Sequence, residues 1–535
     1  MKAPNMLRSV LTFSGGTFVS RILGLFREMA IAWTFGANAS TDAFWVAFRI
    51  PNFMRRLFAE GSFSVAFVPV LTEYKEKKTP EELRELVSRT SGTLGAILLV
   101  VTALGVFGAA WVTRGFAPGS IDEPEKFALT TDLLRLTFPF LLFVSMTALA
   151  GGVLNSFNKF ALPALTPVVL NVCMIAGALW LSPLLDVPIM ALGWAILVAG
   201  ILQLLIQFPA LRKLDLLTLP RWGWNHPGVR KILRLMVPTL FGSSVAQINL
   251  LLDTLIASFL IAGSQTWLSQ SDRLLEFPLG IFGVALGTVI LPTLSRHHVS
   301  TDREGFTRAL DWGLRTTLLI AVPAMLALVV LAKPILATLF QHGEFTARDV
   351  DMASMSLAAL ALGLPAFALV KVVAPAFYAR QDTKTPVRAG IIAMVASMLL
   401  NAVFIGLLLV LWEQPDSADA GLLTRLSTIP GLHMGLALAS ACASYLNLGL
   451  LWRALRRAGI YQAQPGWMLH LVRLGLACIA MLAVLWGGLG YTPDWGILDV
   501  WSRVLHLTGL IAAGGATFVL VLFGSGFRMG NLRAP

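Results

Sequence analysis

Apolar residues run along this chain in long stretches, without the period-two alternation of a half-buried strand or the single stripe of a surface helix. Residues 91–113, 136–158, 160–185, 187–211, 389–412 and 504–527 each contain no Asp, Glu, Lys or Arg. A bilayer core of about 30 Å needs roughly 20 apolar residues per helix. The pattern predicts membrane spans at 11–33, 43–70, 91–113, 132–156, 161–182, 187–209 and 232–258. Seven more are predicted at 266–293, 311–332, 352–377, 387–411, 432–452, 469–490 and 504–525. These fourteen spans make an all-α polytopic membrane protein. The longest polar connections lie near 71–90, 210–231, 296–310, 333–351 and 413–431, too short for a separate soluble domain. Residues 73–89 are expected to form a charged surface helix in which Glu85 and Arg89 pair.

Composition agrees. Hydrophobic residues make up 56% of the 535 residues and charged residues 13%, with a mean hydropathy of +0.75. A soluble domain carries charge at nearer a quarter of its positions, and a disordered chain needs low hydrophobicity. The net charge of +12 then points away from nucleic acid and toward basic loops, anionic membrane lipids and an anionic substrate. With a cytoplasmic N-terminus, the loops of one face carry twenty-five Lys and Arg and those of the other face six. The positive-inside rule therefore predicts fourteen spans with both termini cytoplasmic. The N-terminal apolar run has no small-residue cleavage signature and is read as a retained first helix. Cys173, Cys442 and Cys478 form no pair or ligand ladder and are read as small buried thiols.

An internal repeat is visible. The segment ending Val68-Pro69-Val70-Leu71-Thr72 resembles the one ending Leu291-Pro292-Thr293-Leu294-Ser295, an offset of 223. Arg49 then corresponds to Asp272. Two six-helix bundles followed by two extra helices fit the count, with divisions at 1–220, 221–458 and 459–535. Repeated halves around a cavity are a common transporter plan.

Charges inside apolar spans are costly and need water, a partner or a charged ligand. Arg135, Arg315 and Arg473 lie near span ends and can snorkel. Arg21, Arg27, Arg49, Arg55, Arg56, Arg273 and Lys371 lie deeper. Arg21 and Glu28 share a helix face, as do Arg49, Arg56 and Glu60, with Asp42 extending the stripe. Asp272 or Glu276 is placed to orient Arg273. Two readings of the cluster stand side by side: structural Arg–carboxylate pairs, with Glu28, Asp42 and Glu60 as the acids, or convergent guanidinium groups for phosphate or pyrophosphate. Asp253 and Asn401, polar residues within helices, are candidates for a cation site or for helix-packing hydrogen bonds. The chain has no phosphate-loop motif, no HExxH and no spaced Ser–His–Asp set, so a transporter of an anionic amphiphile is favoured over an enzyme.

Several motifs in order resemble the MviN/MurJ family of lipid II flippases. They are Ser20-Arg21-Ile22-Leu23-Gly24 with Arg27, Phe35-Gly36-Ala37, Thr41-Asp42-Ala43-Phe44 and the run from Pro51 through Arg55-Arg56 to Glu60-Gly61. Asp272-Arg273-Leu274-Leu275-Glu276-Phe277-Pro278 and the run from Ala374 to Pro386 follow. The resemblance implies the multidrug/oligosaccharidyl-lipid/polysaccharide exporter fold, with two six-helix lobes and a lipid-tail groove on the last two helices. It implies transfer of lipid II, the undecaprenyl-pyrophosphate-linked peptidoglycan precursor, from the inner to the outer leaflet by alternating access. It carries Arg21, Arg27, Arg55 and Arg273 over as substrate-binding residues with Asp42 as their acidic partner; Arg56, Glu60, Asp272, Glu276 and Lys371, read from their placement, are expected to support them. It implies no organic cofactor, with sodium or the membrane potential as the energy source and cell-wall synthesis proteins as candidate partners. The alternatives are an exporter of another polyprenyl-linked saccharide or of an amphiphilic drug, a non-transport scaffold for wall synthesis, and an enzyme acting on a polyprenyl pyrophosphate.

Overall fold

The structure, a computed structural model, describes residues 3–55, 63–300, 302–412 and 421–528. Among these residues the secondary structure is helical, without β-strands. Two compact units emerge, Met1–Gln265 and Thr266–Pro535. The first contains α1 (Ala3–Phe35), α2 (Ala39–Arg55), α3 (Phe63–Lys77), α4 (Pro80–Phe107), α5 (Ala109–Phe116) and α6 (Pro124–Thr137). It continues with α7 (Phe140–Ser156), α8 (Ala161–Ala176), α9 (Met190–Leu205), α10 (Phe208–Lys213) and α11 (Pro227–Ala257). The second contains α12 (Ser264–Val299, which begins just before it), α13 (Arg303–Val330), α14 (Ala332–Leu339), α15 (Ala347–Ala361) and α16 (Leu364–Tyr378). Then follow α17 (Lys384–Leu411), α18 (Leu422–Thr428), α19 (His433–Arg457), α20 (Trp467–Tyr491) and α21 (Val500–Gly524).

Ten helical stretches among the described residues are long and apolar enough to cross a membrane. The chain is thus a multi-pass membrane protein. The other four expected spans, 11–33, 43–70, 232–258 and 266–293, fall on α1, on α2 with α3, on α11 and on α12. These are the spans that carry most of the intramembrane charge. The charged connector at 73–89 is not one helix. α3 ends at Lys77, and α4 starts afresh with Pro80 in its first turn and a reciprocal capping box between Thr79 and Glu82. Proline is tolerated there because that N–H has no helical partner. Glu85 and Arg89 do pair, at 3.4 Å.

The repeat is written in the helix boundaries. α4 and α13 are both 28 residues long, starting at Pro80 and Arg303, and α5 and α14 are both 8 residues long, starting at Ala109 and Ala332. Each pair is offset by 223, the offset of Pro69 and Pro292. The caps repeat too: Thr79 caps α4 and Asp302 caps α13. Packing partners recur within each unit. α4 packs on α7 as α13 does on α16, and α8 on α9 as α17 does on α19. α11 corresponds to α1 by offset but packs against α2, α3, α4 and α5, so contact grouping places it in the first unit.

The core of the first unit is built on Phe44, Phe67, Leu133, Phe140 and Leu154, all fully enclosed. The second unit has one cluster around Leu310, Val373 and Leu455. Another, around Leu319, Leu474, Cys478 and Leu522, fastens α20 and α21 to α13. Of the three thiols only Cys478 is buried; Cys173 is intermediate and Cys442 exposed, which corrects the expectation for Cys442. A thiol is apolar enough to face lipid as readily as core.

Candidate functional site: the membrane arginines

The turn before α2 sets its direction. Gly36 takes a left-handed φ of 64° at the end of α1. Asn38 then accepts the N–H groups of Ser40 and Thr41 at 2.9 and 3.1 Å, while its own N–H donates to Thr41 Oγ1 at 2.9 Å. From Thr41 to Pro51 every residue of α2 is buried. Pro51 cannot donate to the carbonyl of Ala47, four residues back. Thr137 Oγ1 donates to that carbonyl instead, at 3.0 Å. A proline bend inside the membrane is therefore satisfied by a neighbouring helix, as an environment without water requires.

Within the first unit, α2 places two charges against the end of α11 and the turn after it. Asp42 is buried and accepts the N–H of Gly263 at 2.8 Å. Arg49, also buried, donates to Thr254 Oγ1 at 2.7 Å and to Gln265 Oε1 at 3.3 Å. Gln265 in turn donates to the Thr254 carbonyl at 2.6 Å. Gly263 has φ 98°, a conformation that L side chains avoid.

Arg27 lies on the face of α1 toward α8. Its guanidinium pairs with Glu28 and donates to Asn171 Oδ1 at 3.2 Å. Asn171 returns its amide to the Ser20 carbonyl at 3.0 Å. One side chain on α8 thus bridges two points on α1, two turns apart. Arg27 and Glu28 are 8% and 3% exposed, so this is a buried pair. The spacing argument matched Glu28 with Arg21; adjacency and the Asn171 bridge match it with Arg27. Arg21 is half-buried. Arg55, half-buried at the end of α2, donates to Asn52 Oδ1 at 2.9 Å, one turn back. Arg56 and Glu60 lie outside the described residues.

In the second unit Arg273, with a quarter of its side chain exposed, donates to Glu276 at 3.1 Å. Asp272 is half-buried beside it, and Lys371 on α16 is exposed. Of the two acids considered for Arg273, the short contact is to Glu276, one turn along α12. Arg315 does not merely snorkel: it pairs with Asp311 at 2.7 Å. Arg135 does reach the surface, beside Asp132 at 3.0 Å.

The cation candidates are less well supplied. Asp253 receives Asn249 Nδ2 at 3.2 Å, and Asn401 is fully buried in α17. Among the described residues no three His, Cys, Asp or Glu side chains gather to hold a metal ion.

Sequence reasoning did not single out Asn171, Thr254, Gln265 or Asn52. Each is a neutral amide or hydroxyl whose importance comes only from the arginine it meets.

The family model described as Lipid II flippase MurJ matches residues 31–505. A probable lipid II flippase MurJ of Vibrio cholerae is 46% identical over 536 residues, covering 99% of this chain and 98% of that protein. The lipid II flippase MurJ of Burkholderia cenocepacia is 42% identical over 531 residues, covering 98% of each. A solved structure of a lipid II flippase MurJ in an inward closed conformation superposes with a TM-score of 0.74 at 28% identity, covering 96% of this chain and 99% of that one. An inward-facing multidrug resistance MATE transporter of the MOP superfamily shares the fold at 13% identity, with a TM-score of 0.63 over 84% of this chain. By family match and by end-to-end likeness, the chain belongs to the MurJ family of lipid II flippases.

Proposed function

We propose that this protein flips lipid II from the inner to the outer leaflet of the bacterial cytoplasmic membrane by alternating access. The observation that carries this reading is the full-length likeness to proteins named as lipid II flippases. In this reading the protein is a transporter and makes no covalent change in its cargo. Arg21, Arg27, Arg55 and Arg273 bind the diphosphate, because guanidinium forks match phosphate oxygens. Asp42, Asp272, Glu276 and Lys371 support them, as do Arg56 and Glu60.

The finer architecture belongs to the same proposal: fourteen spans, lobes at 1–220 and 221–458, and two further helices at 459–535. The recurrence of helix lengths and caps at an offset of 223 supports two lobes. Among the described residues the first unit has no counterpart to α20 and α21, which supports the added pair. The basic excess on one set of loops supports cytoplasmic termini.

Transport follows from the electrostatics. In this proposal the basic groups that meet the headgroup repel one another without cargo, which favours a state open to water. Two phosphates neutralise that repulsion and allow closure on the cytoplasmic side. Opening to the other side rehydrates the headgroup and weakens the grip. The membrane potential adds about 2.3 kcal/mol per charge per 100 mV.

The deciding experiment measures lipid II on the outer leaflet of cells that depend on this protein, at matched membrane abundance. Wild type is expected to expose lipid II, and Arg21→Ala, Arg55→Ala and Arg273→Ala to lose most of that exposure. Equal exposure in all of them would overturn the arginine mechanism. Unchanged exposure after depletion of the protein would overturn the flippase reading.

A further inference from the structure

A second basic site stands apart from the residues assigned to cargo. In the second unit a cavity of about 490 Å³ opens between α13, the start of α20 and the segment after α21. Arg308, Arg315 and Arg473 all line it. Asp311 also faces it, but that carboxylate is already engaged. It accepts hydrogen bonds from Tyr461 Oη at 2.6 Å and Trp467 Nε1 at 2.7 Å, and it forms an ion pair with Arg315 at 2.7 Å. The charge left for a ligand is positive.

Two further features fit an anion. α20 follows Gly466, a left-handed N-cap that lines the cavity and has no side-chain cap bond, so the helix start meets the cavity without a side-chain acceptor. A helix N-terminus attracts negative charge. The Nε of Arg473 is buried without a hydrogen-bond partner. Such a group is costly to leave unmatched in an apolar surrounding.

The repeat sharpens the contrast. The surface of α4 that corresponds to this part of α13 is filled by the chain after α10. Ser88 Oγ donates to the Leu219 carbonyl at 2.6 Å, and the Gly223 N–H donates to Thr93 Oγ1 at 3.0 Å. A Cβ on Gly92 would lie 2.2 Å from the Arg221 carbonyl oxygen. In the second unit the residue at the Gly92 position is Arg315, whose side chain stands between α13 and the segment before α20 and lines the cavity.

Leu319, Leu469 and Phe527 give the cavity an apolar wall. A wholly soluble anion has no use for that wall; an acyl-bearing one does. We propose that this cavity binds the phosphate headgroup of an anionic phospholipid, its chains lying along the apolar side toward α20 and α21. Arg308 and Arg473 supply the free charge, the α20 N-terminus supplies N–H donors, and Arg315 holds the connection into α20 by donating to the carbonyls of Gln464 and Pro465 at 3.0 and 2.8 Å. With the termini cytoplasmic, this end of α20 lies in the inner leaflet. The site goes beyond the transport reading and does not depend on it.

The test uses the purified full-length protein and native mass spectrometry. The probes are dioctanoyl phosphatidylglycerol, dioctanoyl phosphatidylcholine and inorganic phosphate. Wild type is expected to retain phosphatidylglycerol and not phosphatidylcholine, and Arg308→Gln/Arg473→Gln to retain about tenfold less or lower still. Equal retention of the two lipids by wild type would overturn the proposal without any variant. Equal retention of phosphatidylglycerol by the folded double variant would overturn it as well. Binding of inorganic phosphate with no retained lipid would assign the site to a soluble anion and overturn the lipid assignment. None of these measurements needs lipid II, so this site and the transport reading can fail separately.

Discussion

Asp42 on α2 accepts the backbone N–H of Gly263 at 2.8 Å, across 221 residues of chain. One carboxylate thus holds the turn between α11 and α12 against the second helix. Arg49, two turns along the same helix, holds the end of α11 through Thr254. The pair makes α2 the anchor of a segment far away in sequence.

Asp42→Ala leaves the Gly263 N–H buried and unpaired, which costs about 1–3 kcal/mol. The melting temperature in detergent should fall, and Asp42→Asn, which keeps an acceptor oxygen, should recover most of the loss. If both variants melt like wild type, the contact does not hold the turn.

Arg27 and Glu28 form a buried pair. Removing one partner strands the other charge, at about 3–5 kcal/mol. Arg27→Ala should therefore lose abundance as well as transport. Arg27→Met/Glu28→Gln removes both charges and should recover abundance, while lipid II exposure stays low. Recovery of both together would mean that Arg27 serves the fold alone.

Gly92 packs against the backbone of Arg221, with no room for a methyl group. Gly92→Ala must push the segment after α10 off α4, breaking the bonds of Ser88 to Leu219 and Thr93 to Gly223. A loss of about 1–3 kcal/mol is expected from such overpacking. Limited proteolysis should show faster cleavage near Trp222; an unchanged cleavage pattern would count against the contact.

Asp302 caps α13, and the Gly305 N–H, followed by His297, holds its carboxyl below the usual range. A group whose pKa is depressed on folding adds stability above its unfolded value, near 3.9. That contribution disappears as pH falls through the lower folded value. Unfolding measured from pH 6 down to pH 2 should show this acid loss in wild type, and Asp302→Asn should flatten it. Parallel curves for the two proteins would mean that the cap carries no linkage.

Legibility in the sequence differed from residue to residue. Each apolar run announced a helix, because a bilayer accepts little else. The offset between Pro69 and Pro292 recurs in where α13 and α14 begin, because a repeat preserves helix lengths and caps. The break at Thr79 was also present in the sequence: Thr79-Pro80-Glu81-Glu82 is an N-terminal signature, overlooked in favour of a continuous charged helix. The pair of Arg315 with Asp311 was within reach of i,i+4 spacing, but its carbonyl partners at Gln464 and Pro465 are about 150 positions away and were not.

By itself the sequence determined that the chain crosses a membrane many times, that it carries a repeat, and that its early helices hold arginines that need partners. Those conclusions follow from hydropathy, spacing and charge, which are properties of single segments. Only the tertiary structure decided that Glu28 pairs with Arg27, that Asn171 bridges that arginine to Ser20, that Thr137 takes over the carbonyl freed by Pro51, and that a basic cavity opens beside α20. The physical reason is that buried charges and unpaired backbone groups are satisfied by whichever donor or acceptor packing brings within about 3 Å, and that neighbour is usually distant in the chain.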